Sequence, residues 1–298
     1  DFDHDGDLDI YVGNYVDLGR VSSESKLSDL MDRLSNLPGN GCHLFRNNSD
    51  GTFTDVAEEA KIQDPLAKIP SVAFTDFDNR RDIDFWMVNQ GSAVRLFSNQ
   101  RVGTFLDIHP GLENIDVKDV FSVSVGDYNK DGWMDVVMGM QSGPVNLVRN
   151  LGNGTFKTDA VLNSSSPAAK SSRSWTTQFF DYDNDGDLDL LVLKGGLTDE
   201  LSKNQGPELW ENSGDGQFKN VTEKVGLSPF QGKPYRSATL GHFDNDGDTD
   251  LLLTVNGGSP VLLKNEGGNQ NNWLKVRVRG TNSNKSGIGT KVEVKSGN

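Results

Sequence analysis

The sequence predicts an all-β chain folded as a β-propeller of four-stranded antiparallel blades. Three observations carry that prediction. A nine-residue acidic loop occurs five times, each copy runs into an alternating apolar strand, and a strand ending in Asn recurs downstream, followed by a tight turn and an aromatic residue. Four short strands per unit, repeated radially, make a propeller blade.

The five loops are Asp1-Phe2-Asp3-His4-Asp5-Gly6-Asp7-Leu8-Asp9, residues 76–84, residues 127–135, residues 181–189 and residues 242–250. Successive copies start 75, 51, 54 and 61 residues apart, a period that fits blades rather than scattered sites. Copies two to five are preceded by strands at residues 71–75, 122–126, 177–180 and 238–241, and strands such as residues 135–138 and 189–193 follow. A third strand ends at Asn47, Asn150 and Asn212, and a fourth opens at Phe53, Phe156 and Phe218 after an Asp-Gly or Asn-Gly type of turn. If each acidic loop joins strands one and two, strand parity places all of them on one face of the disc. The two–three loops and the blade connections then lie on the other.

Composition agrees with this reading. The chain has 298 residues, enough for a real core, with only 34% apolar residues and 33 glycines, a mixture suited to short strands and tight turns. A formal charge of −14 repels nucleic acid, so none is expected as a partner. Cys42 is the only cysteine and no apolar run approaches the roughly 18 residues of a membrane helix. The first residue is already a candidate ligand with no strand before it, so the sequence reads as a fragment.

The loops read as calcium sites. Calcium takes roughly 6–8 oxygens in irregular geometry. Positions 1, 3, 5 and 9 offer side-chain oxygens, position 7 a backbone carbonyl, and glycine at position 6 permits the sharp turn. An EF-hand is excluded, because position 12 is Val12, Met138, Val192 or Leu253 within a strand rather than a bidentate Glu.

Copies one and four carry full sets: Asp1, Asp3, Asp5, Asp7 and Asp9, and Asp181, Asp183, Asp185, Asp187 and Asp189. Copy three offers Asp127, Asn129, Asp131, the Trp133 carbonyl and Asp135, with weaker binding expected because Asn129 brings an oxygen without charge. Copy five has His242 at position 1, a poor calcium ligand, and leaves Asp244, Asp246, Asp248 and Asp250.

Copy two has Arg80 and Arg81 where a ligand and the glycine should stand. A guanidinium among Asp76, Asp78 and Asp84 is expected to replace the ion, so about four Ca2+ are expected in all and none at residues 76–84. The loops hold 21 of the chain's 43 carboxylates, and four bound Ca2+ would bring the formal charge from −14 to −6. With dissociation constants on the order of 10⁻⁴–10⁻³ M, such sites fill outside cells and stay empty in cytosol. The expected location is therefore extracellular, cell-surface or periplasmic.

The expected interaction face is the opposite one, where the insertions fall: residues 16–41, 194–207, 159–174 and 228–236. Within the first, Leu27, Leu30, Met31 and Leu34 have the spacing of a short amphipathic helix. Candidate partner contacts are Arg20, Arg33, Trp175, Tyr235 and Arg236.

The loop together with the Asn-ended strand and the Gly-x-Phe hairpin resembles the FG-GAP/VCBS repeat of integrin α-subunit propellers and of many secreted bacterial proteins. It covers about residues 1–265. Residues 272–280 and 283–292 resemble the beginning of an ASPIC/UnbV domain. The resemblance implies seven blades in the full protein, about five of them here, followed by a small β-domain. The expected division is 1–267 for the propeller and 268–298 for the start of that domain.

In residues 272–279 basic and apolar side chains alternate as in a half-buried strand, and residues 271–298 carry six basic groups against one acidic. Docking of this tail on the acidic propeller is expected. The leading function is a non-enzymatic, calcium-binding extracellular scaffold for a protein or carbohydrate, possessing no nucleophile motif, phosphate loop or metalloenzyme spacing among its four histidines. The rival is the propeller part of a secreted calcium-dependent polysaccharide-active enzyme such as a lyase.

Overall fold

A computed structural model describes residues 1–17, 36–108, 110–112, 115–163, 173–281 and 284–295. The strands form five antiparallel sheets in chain order. The first holds β1 (Ile10–Gly13), β2 (Cys42–Asn47) and β3 (Phe53–Asp55), and the second β4 (Val72–Thr75), β5 (Asp84–Met87), β6 (Arg95–Asn99) and β7 (Phe105–Ile108). The third holds β8 (Val120–Gly126), β9 (Asp135–Met140), β10 (Val145–Asn150) and β11 (Phe156–Leu162). The fourth holds β12 (Arg173–Phe180), β13 (Asp189–Gly195), β14 (Pro207–Asn212) and β15 (Phe218–Asn220), and the fifth β16 (Tyr235–Gly241), β17 (Asp250–Val255) and β18 (Val261–Leu263). In each sheet the strands are ordered as in the sequence, so every connection within a blade is a hairpin. The expected five-unit all-β propeller is what the chain forms.

The apolar period of two explains where the core lies. The second strands of the three middle blades, β5, β9 and β13, are buried on both faces, since alternate residues serve different neighbours. Phe85 and Met87 pack with Leu44 and Cys42 of the first blade, whereas Trp86 and Val88 pack with Val136 and Met138 of the third. Val137 joins Leu190 and Val192 of the fourth blade, while Leu191 and Leu193 join Leu251 and Leu253 of the fifth. The core is thus four apolar layers, each between two blades. The ten residues of β5, β9 and β13 named here are all buried, and radial stacking gives both faces of these strands apolar company.

The first strands β4, β8, β12 and β16 lie innermost and touch one another around the axis. The acidic loops of copies two to five join strand one to strand two and the first leads into β1, placing the loops at one end of the strands, as parity required. The insert carrying Leu27, Leu30, Met31 and Leu34, with Arg20 and Arg33, lies outside the described residues.

One expectation is corrected. Residues 272–279 form no strand and are exposed on both faces, because no described strand pairs with them. The tail does meet the loop face: Asn271 Nδ2 donates to Asp183 O (2.9 Å), Asn284 Nδ2 to Asp1 Oδ2 (3.5 Å) and Lys291 Nζ to Asn79 Oδ1 (3.1 Å).

Candidate metal loops and the axial face

The acidic loops keep one backbone shape. Position 6 has positive φ in every copy, from +87° to +106° where it is glycine (Gly6, Gly132, Gly186, Gly247) and +67° at Arg81. Position 4 is also left-handed, at His4, Asn79, Lys130, Asn184 and Asn245, and three of these are the Asn that tolerates this region best. Carboxylates then accept from amides further along the loop. Asp181 takes the Asp185 and Gly186 N–H groups (3.1 and 2.9 Å), and Asp127 takes those of Asp131 and Gly132 (3.0 and 2.9 Å).

Three loops bring carboxylate oxygens together. Those of Asp1, Asp3 and Asp5, of Asp76, Asp78 and Asp84, and of Asp181, Asp183 and Asp185 each lie within 4.8 Å of one another. Burial raises the pKa of Asp3, with repulsion from Asp5 and Asp9 adding to it. Burial does the same at Asp183, reinforced by Asp185 and Asp181, and Asp183 Oδ1 is buried without a donor. Oxygens crowded so closely fit a hard cation, which removes the repulsion and supplies the missing partner.

Copies two, three and five differ in what answers their charge. In copy two, Arg80 Nε pairs with Asp78 (2.7 Å), but the guanidinium then turns to Ser98 Oγ (2.7 Å) and contacts neither Asp76 nor Asp84. The expected salt-bridge network is therefore limited to one carboxylate, and Asp82 is served by Arg101 (2.6 Å). In copy three Asn129 Oδ1 accepts the Asp131 N–H (2.9 Å), and Trp133 donates its N–H to Asp131 Oδ1 (3.0 Å). In copy five Lys264 Nζ reaches Asp244 (2.9 Å) and Asp246 (3.7 Å), a cation that sequence inspection had not placed there. Beside it, burial and Asp246 push Asp248 up to about 6. Position 7 also forms links between elements, with Asp187 paired to Lys130 and Asp7 bound by Ser49.

The ninth residue and the terminal Asn of strand three form a shared joint. In the fourth blade Asp189 Oδ1 accepts the Asn212 N–H (2.9 Å) and Oδ2 the Tyr182 N–H (3.0 Å). Asn212 Nδ2 donates to Leu188 O (3.1 Å) and, across the interface, to Tyr128 O of the preceding blade (2.8 Å). The same cross-blade bond runs from Asn99 to Phe2 O, Asn150 to Phe77 O and Asn265 to Tyr182 O. The position-2 ring packs on the next blade's fourth-strand aromatic: Phe2 on Phe105, Phe77 on Phe156 and Tyr128 on Phe218. Burial pushes Asp84, Asp135 and Asp189 each up to about 7. Asp9 and Asp250 make the same two amide contacts, Asp9 with Asn47 and Phe2, and Asp250 with Asn265 and Phe243.

At the other end of the strands, Trp175 and Arg236 come together. Arg236 lies over the Trp175 ring at 4.2 Å, and Arg173, which sequence inspection passed over, lies over it at 4.9 Å. Tyr235 is corrected from contact to core: it is fully buried and its hydroxyl donates to Phe230 O (2.8 Å). A usable signal was present for this cluster, since Val120-Phe121-Ser122, Ser174-Trp175-Thr176 and Tyr235-Arg236-Ser237 all open a first strand with a bulky residue before serine or threonine.

The acidic hairpins and Asn-linked blades carry FG-GAP-like repeats, and the model of that repeat matches residues 76–138 and 127–192. The chain carries such repeats and is similar to cartilage acidic protein 1. Identity to the Mus musculus protein is 27% over 284 residues, covering 92% of this chain and 41% of that protein, and to the Xenopus tropicalis protein 28% over 288 residues, with the same coverages. The chain thus spans about two-fifths of the length of these relatives. Among solved structures, YCF48 from Cyanidioschyzon merolae aligns with a TM-score of 0.44 at 9% identity, covering 75% of this chain and 63% of that one.

Proposed function

We propose that this chain is a calcium-stabilised extracellular propeller scaffold, without catalytic activity, that presents the face opposite its acidic loops to a protein or carbohydrate. The observation that carries the proposal is the convergence of carboxylate oxygens within 4.8 Å in copies one and four. Calcium there would supply charge neutralisation and cross-link each loop to itself. Asp1, Asp3 and Asp5, and Asp181, Asp183 and Asp185, would hold it, with copies three and five as weaker sites.

The non-enzymatic part rests on what the titratable groups do. Two His–Asp pairs exist, His43–Asp55 (2.7 Å) and His4–Asp82 (3.1 Å), and among the described residues neither is joined by a hydroxyl or thiol nucleophile. The extracellular part rests on weak, multiple sites that only millimolar calcium fills.

The test is thermal unfolding in millimolar calcium and in chelator, with isothermal titration for stoichiometry. Each filled site is expected to stabilise by about 1 kcal/mol at 1 mM calcium, and about four ions should bind. An unchanged melting temperature would sink the proposal.

A further inference from the structure

The beginning of strand one is distorted at the same place in three successive blades. β8 pairs Val120 with Met140 and Ser122 with Gly139, leaving Phe121 unopposed. β12 leaves out Trp175 between Ser174 and Thr176, and β16 leaves out Arg236 between Tyr235 and Ser237. In β4 the register is unbroken from Val72 to Thr75. A bulge adds one residue to one strand, bends it and re-aims a side chain. All three displaced side chains line one cavity of about 780 Å3 at the axis, on the face opposite the loops. That volume lies within the roughly 300–1,000 Å3 of small-molecule sites.

The chemistry of this cavity is unusual for so acidic a chain. Phe121 and Trp175 meet edge to face at 5.2 Å, and Trp175 Nε1 is fixed by donation to Gly195 O (2.6 Å). Arg173 sits over both rings, 4.4 Å from the Phe121 centre and 4.9 Å from that of Trp175. Among the described residues neither Arg173 nor Arg236 forms an ion pair. Arg236 donates Nη1 to Gly196 O (2.8 Å) and Tyr235 O (2.7 Å), while its Nη2 is buried with no partner. Burial lowers the pKa of both arginines, and at Arg236 the charge of Arg173 adds to the effect. Guanidinium groups stacked on rings keep their N–H edges available for a planar oxyanion. Deeper along β12, Thr177 and Gln178 also line the cavity, and their Oγ1 and Oε1 are buried with no partner.

We infer that the axial cavity binds a carboxylate-bearing sugar unit, with the carboxylate on Arg173 and Arg236 and sugar hydroxyls on Thr177 and Gln178. A glutamate or aspartate side chain would answer the arginines but leave those two oxygens without donors, whereas a uronate answers both sets. The inference rests on the reading of this face as the contact face.

The experiment is titration of the whole chain, in calcium, with digalacturonate, its neutral counterpart and a glutamate-rich peptide. Digalacturonate is expected to bind at one site, at least about tenfold more tightly than the neutral sugar and than the peptide. Arg173→Gln and Arg236→Gln should each lose about tenfold or more, and Thr177→Val a few-fold, with melting temperatures preserved. Should a glutamine variant unfold, Arg173→Lys and Arg236→Lys keep the charge, lose the fork and are expected to bind several-fold more weakly.

Equal binding of the neutral sugar, binding of the peptide alone, no binding, or binding indifferent to Arg173 would each overturn the inference. Melting in calcium and in chelator on the same sample separates the two failures. With the calcium response intact and digalacturonate inert, the cavity reading falls alone; without the calcium response, the calcium-stabilised scaffold falls whatever digalacturonate does.

Discussion

At the loop end of the strands successive blades repeat one joint, whereas at the opposite end three blades depart from regular pairing and each departs with a different side chain. The loop end joins blades. An aspartate pins its own hairpin, an asparagine bonds the previous blade, and an aromatic pair covers the joint. At the start of the strands, Phe121, Trp175 and Arg236 leave the ladder, which loses local pairing and gains a cationic cavity. Repetition marks what holds the propeller together, and the breaks in repetition mark where a ligand contact can be specific.

The largest expected effect breaks the loop end. Asn212 is buried and its side chain serves Tyr128 O and Leu188 O while accepting the Gly214 and Gly216 N–H groups (3.1 and 3.2 Å). Asn212→Ala strands two carbonyls and two amides, and at about 1 kcal/mol for each unmet group the cost should be about 4 kcal/mol. Denaturant unfolding checks this. A loss below about 1 kcal/mol would mean that the cross-blade bond contributes little and that the apolar layers alone set stability.

The next sharpens the comparison within the loop end, between copies two and four. Arg81 occupies a left-handed position that glycine holds in the other copies, at a cost of about 1 kcal/mol for a side-chain-bearing residue. Arg81→Gly should therefore raise stability by about that amount. Adding Arg80→Asp removes the guanidinium from Asp78 and should create one further calcium site, read as an increase of one in titration stoichiometry. In copy four, Asp183→Ala should remove about 1 kcal/mol of the stabilisation given by millimolar calcium and little of the stability measured without it.

Much of the loop end was legible in the sequence because its interactions repeat at fixed spacing. Aspartate at position 9, Asn at the end of strand three and an aromatic at the start of strand four were all visible, although their joint role across the blade boundary was not. That role needs two residues some 70–90 positions apart, as with Asn150 and Phe77 or Asn212 and Tyr128. Lys264 in copy five was missed for a similar reason, since it reaches Asp244 from β18's far end. The strand-start cavity was only partly legible. Trp175 and Arg236 stood out as bulky residues beside an insertion, but a bulge shifts register by one residue, and a period-two reading has no means of registering it. Tyr235 was misjudged for that reason: the bulge at Arg236 turns one neighbour outward and the other into the layer between blades four and five.

The smallest expected effect concerns acidity at the joints. Asp84, Asp135 and Asp189 have carboxyls held near 7 by burial, against about 4 in an unfolded chain. Between these values the folded state binds more protons than the unfolded one, so stability falls as pH rises through the window from about 4 to about 7 and is unaffected by these groups outside it. Calcium-free protein should therefore melt at a higher temperature at pH 5 than at pH 7.5. The gain from added calcium should be larger at pH 7.5, where the crowded loop carboxylates are ionised. The opposite end carries arginines that stay charged throughout this range, so the response should be confined to the loop end: Asp135→Asn should flatten the dependence, whereas Arg173→Gln should leave its slope unchanged. A slope lost equally in both variants would show that the whole chain's charge, rather than the buried joint carboxyls, sets the pH response.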